Sequence, residues 1–196
     1  MKKTLISGLL TASLTLVTIL TGFSVLAVQV HAASFSDIDD HWAKDYILDA
    51  ADKNIISGYP DGTFLPDKPV TRAEFTKMVN NALGNTAASS ISFKDVPAAE
   101  WYHGEISKAV AAGYAGGYDT GDFLPNNNIS RQEAAVMLSR IVPTYNYSAS
   151  LTSYGDKASV SDWAESSLSR IVGKKYMGAY DDGNLHPLDN LTRAQR

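Results

Sequence analysis

The stretch Gly58-Tyr59-Pro60-Asp61-Gly62-Thr63-Phe64-Leu65-Pro66-Asp67-Lys68-Pro69-Val70-Thr71-Arg72-Ala73-Glu74 decides how this chain is read, because its frame occurs three times. The turn glycine, the proline and the arginine recur at identical spacing as Gly62, Pro66 and Arg72, then Gly121, Pro125 and Arg131, then Gly183, Pro187 and Arg193. Tyr59, Tyr118 and Tyr180 each stand three residues before the turn glycine, and Trp42, Trp101 and Trp163 each stand 30 residues before the arginine. Upstream of the tryptophans lie Phe35-Ser36-Asp37, Phe93-Lys94-Asp95 and Tyr154-Gly155-Asp156. Landmarks that keep register without a gap in three places identify a triplicated unit.

Each unit reads as helix, turn, helix. The first helix starts near the tryptophan, with apolar positions at Trp42, Ile47, Ala50 and Ala51, at Trp101, Ile106, Ala109 and Val110, and at Trp163, Leu168, Ile171 and Val172. In the second helix Phe75, Met78, Val79, Ala82 and Leu83 match Ala134, Met137, Leu138, Ile141 and Val142, a stripe with one buried face. Residues 58–62 and 117–121 are glycine-bounded turns between them. A single unit of about fifty residues buries too little alone. The expected fold is therefore all-α, three helix-turn-helix units in a pseudo-threefold arrangement with a shared central helix bundle. The predicted domains are 33–83, 91–142 and a truncated 152–196, joined by the polar segments 84–90 and 143–153.

Residues 1–32 differ from the rest. Met1-Lys2-Lys3 is basic, residues 5–28 are largely apolar and uncharged, and Val30-His31-Ala32 offers a processing site. That is the pattern of a signal peptide, with an uncleaved membrane anchor as the alternative. After cleavage no membrane association is expected. Both charges of the leader are lysines, so the remainder carries 15 basic and 21 acidic side chains, a net charge of −6. Such a balance argues against nucleic acid as a partner. The chain has no cysteine, which excludes a disulfide framework, thiolate zinc sites and a cysteine nucleophile.

The second helices open with Thr71-Arg72-Ala73-Glu74, Ser130-Arg131-Gln132-Glu133 and Thr192-Arg193-Ala194-Gln195. Ser or Thr followed three residues later by Glu or Gln is a capping box, which accounts for Thr71, Glu74, Ser130, Glu133, Thr192 and Gln195. It does not account for the arginines, since a cation at a helix start is unfavourable by about 0.3–1 kcal/mol. Arg72, Arg131 and Arg193 are candidate anion receptors, with pairing to a carboxylate such as Asp61 or Asp67 as the structural alternative. Tyr59, Tyr118 and Tyr180, beside Gly62, Gly121 and Gly183, are candidate ligand contacts. Aromatic faces next to polar donors suit sugar rings. Trp42, Trp101 and Trp163 are read as structural anchors of the first helices.

The combined pattern resembles the S-layer homology domain of bacterial surface proteins. Phe35-Ser36-Asp37-Ile38, the turn 58–64 and Val70-Thr71-Arg72-Ala73-Glu74 carry the first copy, and the resemblance extends over almost the whole chain after residue 32. It implies a pseudo-trimeric, three-pronged unit that anchors proteins non-covalently to secondary cell wall polysaccharide, an acidic glycan bearing a pyruvylated amino sugar. It also implies that Arg72, Arg131 and Arg193 hold the pyruvate carboxylate in grooves between neighbouring repeats, at the bacterial surface. The third copy departs from the frame: Ala179 stands where Gly58 and Gly117 stand, Leu185 where Phe64 and Phe123 stand, and Gln195 replaces the glutamate. The sequence ends at Arg196, in the first turn of the third second-helix, so it reads as a fragment of a longer protein.

Two other functions fit parts of the sequence. The carboxylate pairs at Asp37, Asp39 and Asp40 and at Asp181 and Asp182 could serve a glycosidase, but they read as caps and turns. His41, His103 and His186 have no metal-ligand spacing, and no nucleophile elbow or phosphate loop is present, so neither an enzyme nor a metal or cofactor is expected within the chain. A cell-wall enzyme fragment and a protein-binding surface scaffold remain the alternatives to polysaccharide anchoring.

Overall fold

A tight turn preceding each second helix is the first problem the backbone must solve. Tyr59 N–H donates to Thr63 O at 2.8 Å and Gly62 N–H to Tyr59 O at 3.0 Å, and the same two bonds recur between Tyr118 and Asp122 and between Tyr180 and Asn184. Gly62, Gly121 and Gly183 close the turns at φ of 84°, 85° and 79°, a region that favours glycine. Three residues later Leu65, Leu124 and His186 are also left-handed, at φ of 56°, 59° and 49°. A non-glycine residue there costs about 1–3 kcal/mol unless its surroundings hold it. The compensation comes from the upstream aspartate. Asp37 accepts the Phe64 and Leu65 N–H groups at 2.8 and 2.7 Å, Asp95 those of Phe123 and Leu124, and Asp156 those of Leu185 and His186.

The computed structural model describes residues 33–143 and 148–195; the predicted signal peptide at 1–32 lies outside them. The helices are α1 (Lys44–Asp52), α2 (Arg72–Leu83), α3 (Trp101–Ala111), α4 (Arg131–Ser139) and α5 (Asp162–Gly173), with a 3-10 turn at Lys157–Ser159. No strand is present among the described residues, and no helix there is long and apolar enough to cross a membrane. The fold is all-α and repetitive, as the periodicity indicates. Thr71 and Glu74 form a complete capping box at the start of α2, and Ser130 and Glu133 do so for α4. In the third unit Gln195 Oε1 still accepts the Thr192 N–H at 3.2 Å.

At the centre the three units close on one another. Val70 N–H donates to Leu191 O at 2.9 Å, Leu191 N–H to Ile129 O at 2.8 Å, and Ile129 N–H to Val70 O at 3.1 Å. This is a cyclic ring of backbone bonds, and all three of its side chains are buried in one apolar cluster. Around it each helix start donates to the turn of the next unit. Arg72 and Ala73 N–H bond to Asn127 and Pro125 O, Arg131 and Gln132 N–H to Asp189 and Pro187 O, and Arg193 and Ala194 N–H to Lys68 and Pro66 O. The pseudo-threefold relation is thus written in hydrogen bonds. What the units share at the centre is this ring of extended segments, while the extensive helix pairs are α2 with α3 and α4 with α5. The second helices α2 and α4 are thus each covered by the first helix of the following unit.

Asn80 fills the α2–α3 seam as a satisfied polar inlay: its Nδ2 donates to Glu105 O and Oε2, and Tyr114 OH donates to its Oδ1. Close approach explains Gly58 and Gly117, where a Cβ would lie 2.3 Å and 2.4 Å from the rings of Phe35 and Phe93. Those rings stack on Phe64 and Phe123. The third unit changes all three positions together, to Tyr154, Ala179 and Leu185, and the methyl of Ala179 is accommodated where the aromatic pair is absent.

Replacing Asp95 with Ala leaves the Phe123 and Leu124 N–H groups without their acceptor and the left-handed Leu124 unsupported. The expected loss is about 1–3 kcal/mol of stability, read as a lower urea midpoint without a change in slope.

Candidate functional site

The arginine at each helix start does not point along its own helix axis into solvent. Its guanidinium reaches into the next unit. Arg131 donates from Nε to Leu185 O and from Nη2 to Gly178 O, both at 2.8 Å, and Arg193 donates to Phe64 O and Ser57 O at 2.8 Å. Arg72 donates from Nη2 to Gly116 O at 3.0 Å, while its buried Nε has no hydrogen-bond partner. Each guanidinium also lies over the turn aromatics of that next unit. Arg72 stands 5.1 Å from Tyr118 and 4.7 Å from Phe123, Arg131 stands 4.6 Å from Tyr180, and Arg193 stands 4.9 Å from Tyr59 and 4.4 Å from Phe64. Backbone carbonyls and ring faces replace the water that a buried cation loses.

The pairing of the arginines with a neighbouring carboxylate is not what the structure shows. None pairs with Asp61 or Asp67; Asp67 faces His41 and Asp61 accepts from Thr63. Nor are the amides of the helix start open to an anion, because the first two donate to carbonyls of the next unit and the third to the capping hydroxyl of Thr71 or Ser130, or in the third unit to Thr192 O. What remains for a ligand is the guanidinium edge.

That edge lines a groove, and there are three of them. Arg193, Tyr59 and Trp101 line a cavity of 210 Å³ with Glu74 and Lys77; Arg72, Tyr118 and Trp163 line one of 570 Å³ with Glu133 and Arg140; Arg131, Tyr180 and Trp42 line one of 610 Å³ with Thr192 and Gln195. In every case the arginine comes from one unit, the tyrosine from the next and the tryptophan from the one after. A groove therefore exists only when all three units are assembled.

The tryptophans are where the sequence reading fails. Trp42, Trp101 and Trp163 are 62%, 54% and 59% exposed, so they are not core anchors. The reason is angular. In α3 and α5, Trp101 and Trp163 stand five residues before the buried Ile106 and Leu168, about 140° around the helix from the core face, and Trp42 lies in the turn before α1. The spacing was visible in the sequence. Gly62, Gly121 and Gly183 do not line the grooves; they shape the turns, and the lining glycines are Gly58, Gly116, Gly117 and Gly178. Lys77 and Arg140 were missed because neither position keeps its charge across repeats.

Electrostatics couple the capping boxes to the grooves. Burial pushes the Glu133 carboxyl up, but hydrogen bonds from the Tyr118 hydroxyl and from the Ser130 hydroxyl and amide, with Arg72 nearby, hold it below its ordinary value. Burial and that same carboxylate push the Tyr118 phenol up to about 12. Burial pulls the Arg131 guanidinium down, opposed by Tyr180, Asp189 and Asp156. Among the described residues no cluster of three or more His, Asp or Glu side chains is placed to hold a metal ion.

A pseudo-threefold module of helical repeats with an Arg, Tyr and Trp groove at each junction is thus the class that fold and site define. The chain belongs to the S-layer homology domain family, whose model matches residues 34–76, 92–135 and 153–195. Relatives include an amylopullulanase of Thermoanaerobacterium thermosulfurigenes, 32% identical over 89% of this chain and 10% of its own length. A surface-layer 125 kDa protein of Lysinibacillus sphaericus is 31% identical over 88% of this chain and 15% of its own. A cellulosome-anchoring protein of Acetivibrio thermocellus is 31% identical over 71% of this chain and 33% of its own. The chain therefore spans a third or less of the length of these relatives.

Two outcomes test the site's architecture. Arg131→Ala strips Leu185 O and Gly178 O of a donor and should cost about 1–3 kcal/mol of stability by urea denaturation, showing that the arginine holds the fold as well as the groove. For Glu133 the folded carboxyl lies below its ordinary value of 4.5, so its contribution is complete above that value and is lost as pH falls through the lower folded one. Glu133→Gln should flatten that part of the stability-versus-pH curve.

Proposed function

We propose that this chain is a non-covalent anchoring module that binds acidic, pyruvylated secondary cell wall polysaccharide in its inter-repeat grooves, at the outer surface of a bacterial cell wall. The observation that carries the reading is the threefold recurrence of arginine, tyrosine and exposed tryptophan around one cavity. The tryptophan and tyrosine offer flat faces to the apolar C–H side of a sugar ring. The arginine offers N–H groups whose orientation is fixed by the carbonyls on its other side, so little side-chain freedom is lost when a carboxylate binds. Repetition multiplies weak sites along a polymer, which converts modest affinities into firm attachment. Membership of the family and the printed names of a surface-layer protein and a cellulosome-anchoring protein among the relatives support the same reading. Names such as amylopullulanase belong to chains of which the shared region is a tenth, which favours an attachment role for that region over a catalytic one.

The test is co-sedimentation of the purified protein with cell-wall sacculi. Binding to intact walls is expected, with loss when the wall glycan is stripped or its pyruvyl groups are removed by mild acid. Equal binding to stripped walls would move the ligand to peptidoglycan or protein. Trp101→Ala with Trp163→Ala, both exposed and so compatible with the fold, should weaken binding at least tenfold, since stacking aromatics at a site centre carry about 1–3 kcal/mol each.

A further inference from the structure

The Tyr118 groove, whose lining residues all lie between Arg72 and Trp163, carries a second cation that the repeat frame does not require. One of its walls is a single face of α4 and its C-cap. There Glu133, Val136, Met137 and Arg140 follow at helical spacing, and all four line the cavity of 570 Å³. From Glu133 to Arg140 is two turns, about 10 Å along the helix. That is close to the length of two linked pyranose rings.

The two cations stand at opposite ends of that wall. Arg72 lies 5.1 Å from the Tyr118 ring, and the Tyr118 hydroxyl donates to Glu133 Oε1 at 2.6 Å, which puts Arg72 at the start of α4. Arg140 stands at the other end, as the C-cap. Between them Val136 and the buried Met137 leave an apolar stretch, and the exposed Trp163 lines the same cavity.

Both guanidinium groups are aimed by one piece of backbone. Arg72 Nη2 donates to Gly116 O at 3.0 Å and Arg140 Nη1 to Tyr114 O at 3.1 Å. Those bonds fix direction without using up the donors. Arg72 Nε is buried with no partner, and neither arginine is ion-paired among the described residues. An open buried donor on a lining residue, with a tethered guanidinium beyond an apolar stretch, suits a site prepared for a ligand.

Folding alone does not call for arginine at 140. Its equivalent in the first unit is Asn81, whose Nδ2 donates at 3.1 Å to Ile55 O, the carbonyl that corresponds to Tyr114 O. The shorter side chain makes the same structural bond. What arginine adds is charge, and N–H donors beyond the one that bond uses.

We infer that the Tyr118 groove is a two-sugar site: Arg72 and Tyr118 take the ring that bears the carboxylate, and Arg140 donates to oxygens of the adjoining sugar, which lies over Val136 and Met137. This rests on the polysaccharide reading and adds to it the residue that reads the second sugar. Arg140 then contributes only to ligands longer than one ring.

The experiment labels the whole protein with 15N and assigns the indole N–H resonances by single Trp→Phe variants. Trp163 reports on this groove and Trp101 on the Tyr59 groove. The probes are pyruvylated fragments released from the wall glycan by glycosidases: the single pyruvylated sugar, and two two-sugar fragments extended on either side of it. At Trp163 one two-sugar fragment should bind about tenfold more tightly than the single sugar. Arg140→Asn, the residue the first unit uses, should erase that gain while the single-sugar midpoint and every Trp101 midpoint stay unchanged. No gain from either two-sugar fragment, or a gain that survives Arg140→Asn, would overturn the inference and leave polysaccharide binding intact. A single-sugar midpoint weakened as much as the two-sugar one would place both arginines on one carboxylate, and would overturn it equally. The fragment comparison on the unaltered protein needs no variant, so it stands even if Arg140→Asn fails to fold. Indoles that respond to no fragment would overturn the polysaccharide reading, and this inference with it.

Discussion

The structure depends on one arrangement of hydrogen bonds: the ring in which Val70, Leu191 and Ile129 each donate to the preceding unit's backbone. Around that ring the helix starts donate their first two free amides to the following turn. A helix start normally finds its partners locally or in water. Here the partners belong to another unit, so no second helix of this chain is fully satisfied unless its neighbour is folded. Cooperativity between repeats follows from that exchange together with the burial of the ring's side chains in one apolar cluster.

The same exchange builds the grooves. Because each helix start is pinned to the next turn, its arginine is delivered over that turn's aromatics, and the guanidinium is consumed on one side by carbonyls. An unfavourable position for a cation in an isolated helix becomes a favourable one in the assembled trimer of units. The residues common to all three units therefore hold the fold and line the grooves together, while those that vary, such as Lys77 and Val136, change the charge of the rim. Repetition fixes the frame and leaves the rim adjustable.

Much of this was legible in the sequence. The period, the capping boxes and the helix stripes come straight from spacing, because local chemistry decides them. The carboxylate of Asp37 supporting a left-handed Leu65 was not legible, since its partners lie 27 and 28 residues away and the φ of Leu65 has no signature in composition. Trp42, Trp101 and Trp163 were legible but misread: hydrophobicity suggested a core, whereas the five-residue offset from Ile106 and Leu168 turns Trp101 and Trp163 away from it, and Trp42 lies in the turn before α1. The arginines' targets were not legible, because they are backbone carbonyls 44 to 136 residues distant, and a carbonyl has no letter in the sequence.

Native-state amide hydrogen exchange at Val70, Ile129 and Leu191 tests the closed ring most directly. If the three units lock one another, the three amides exchange only through global unfolding, with the same opening free energy and the same response to denaturant. Three separate opening free energies, with Leu191 exchanging through a local event while Val70 and Ile129 stay protected, would contradict the ring and reduce the structure to repeats that merely pack side by side.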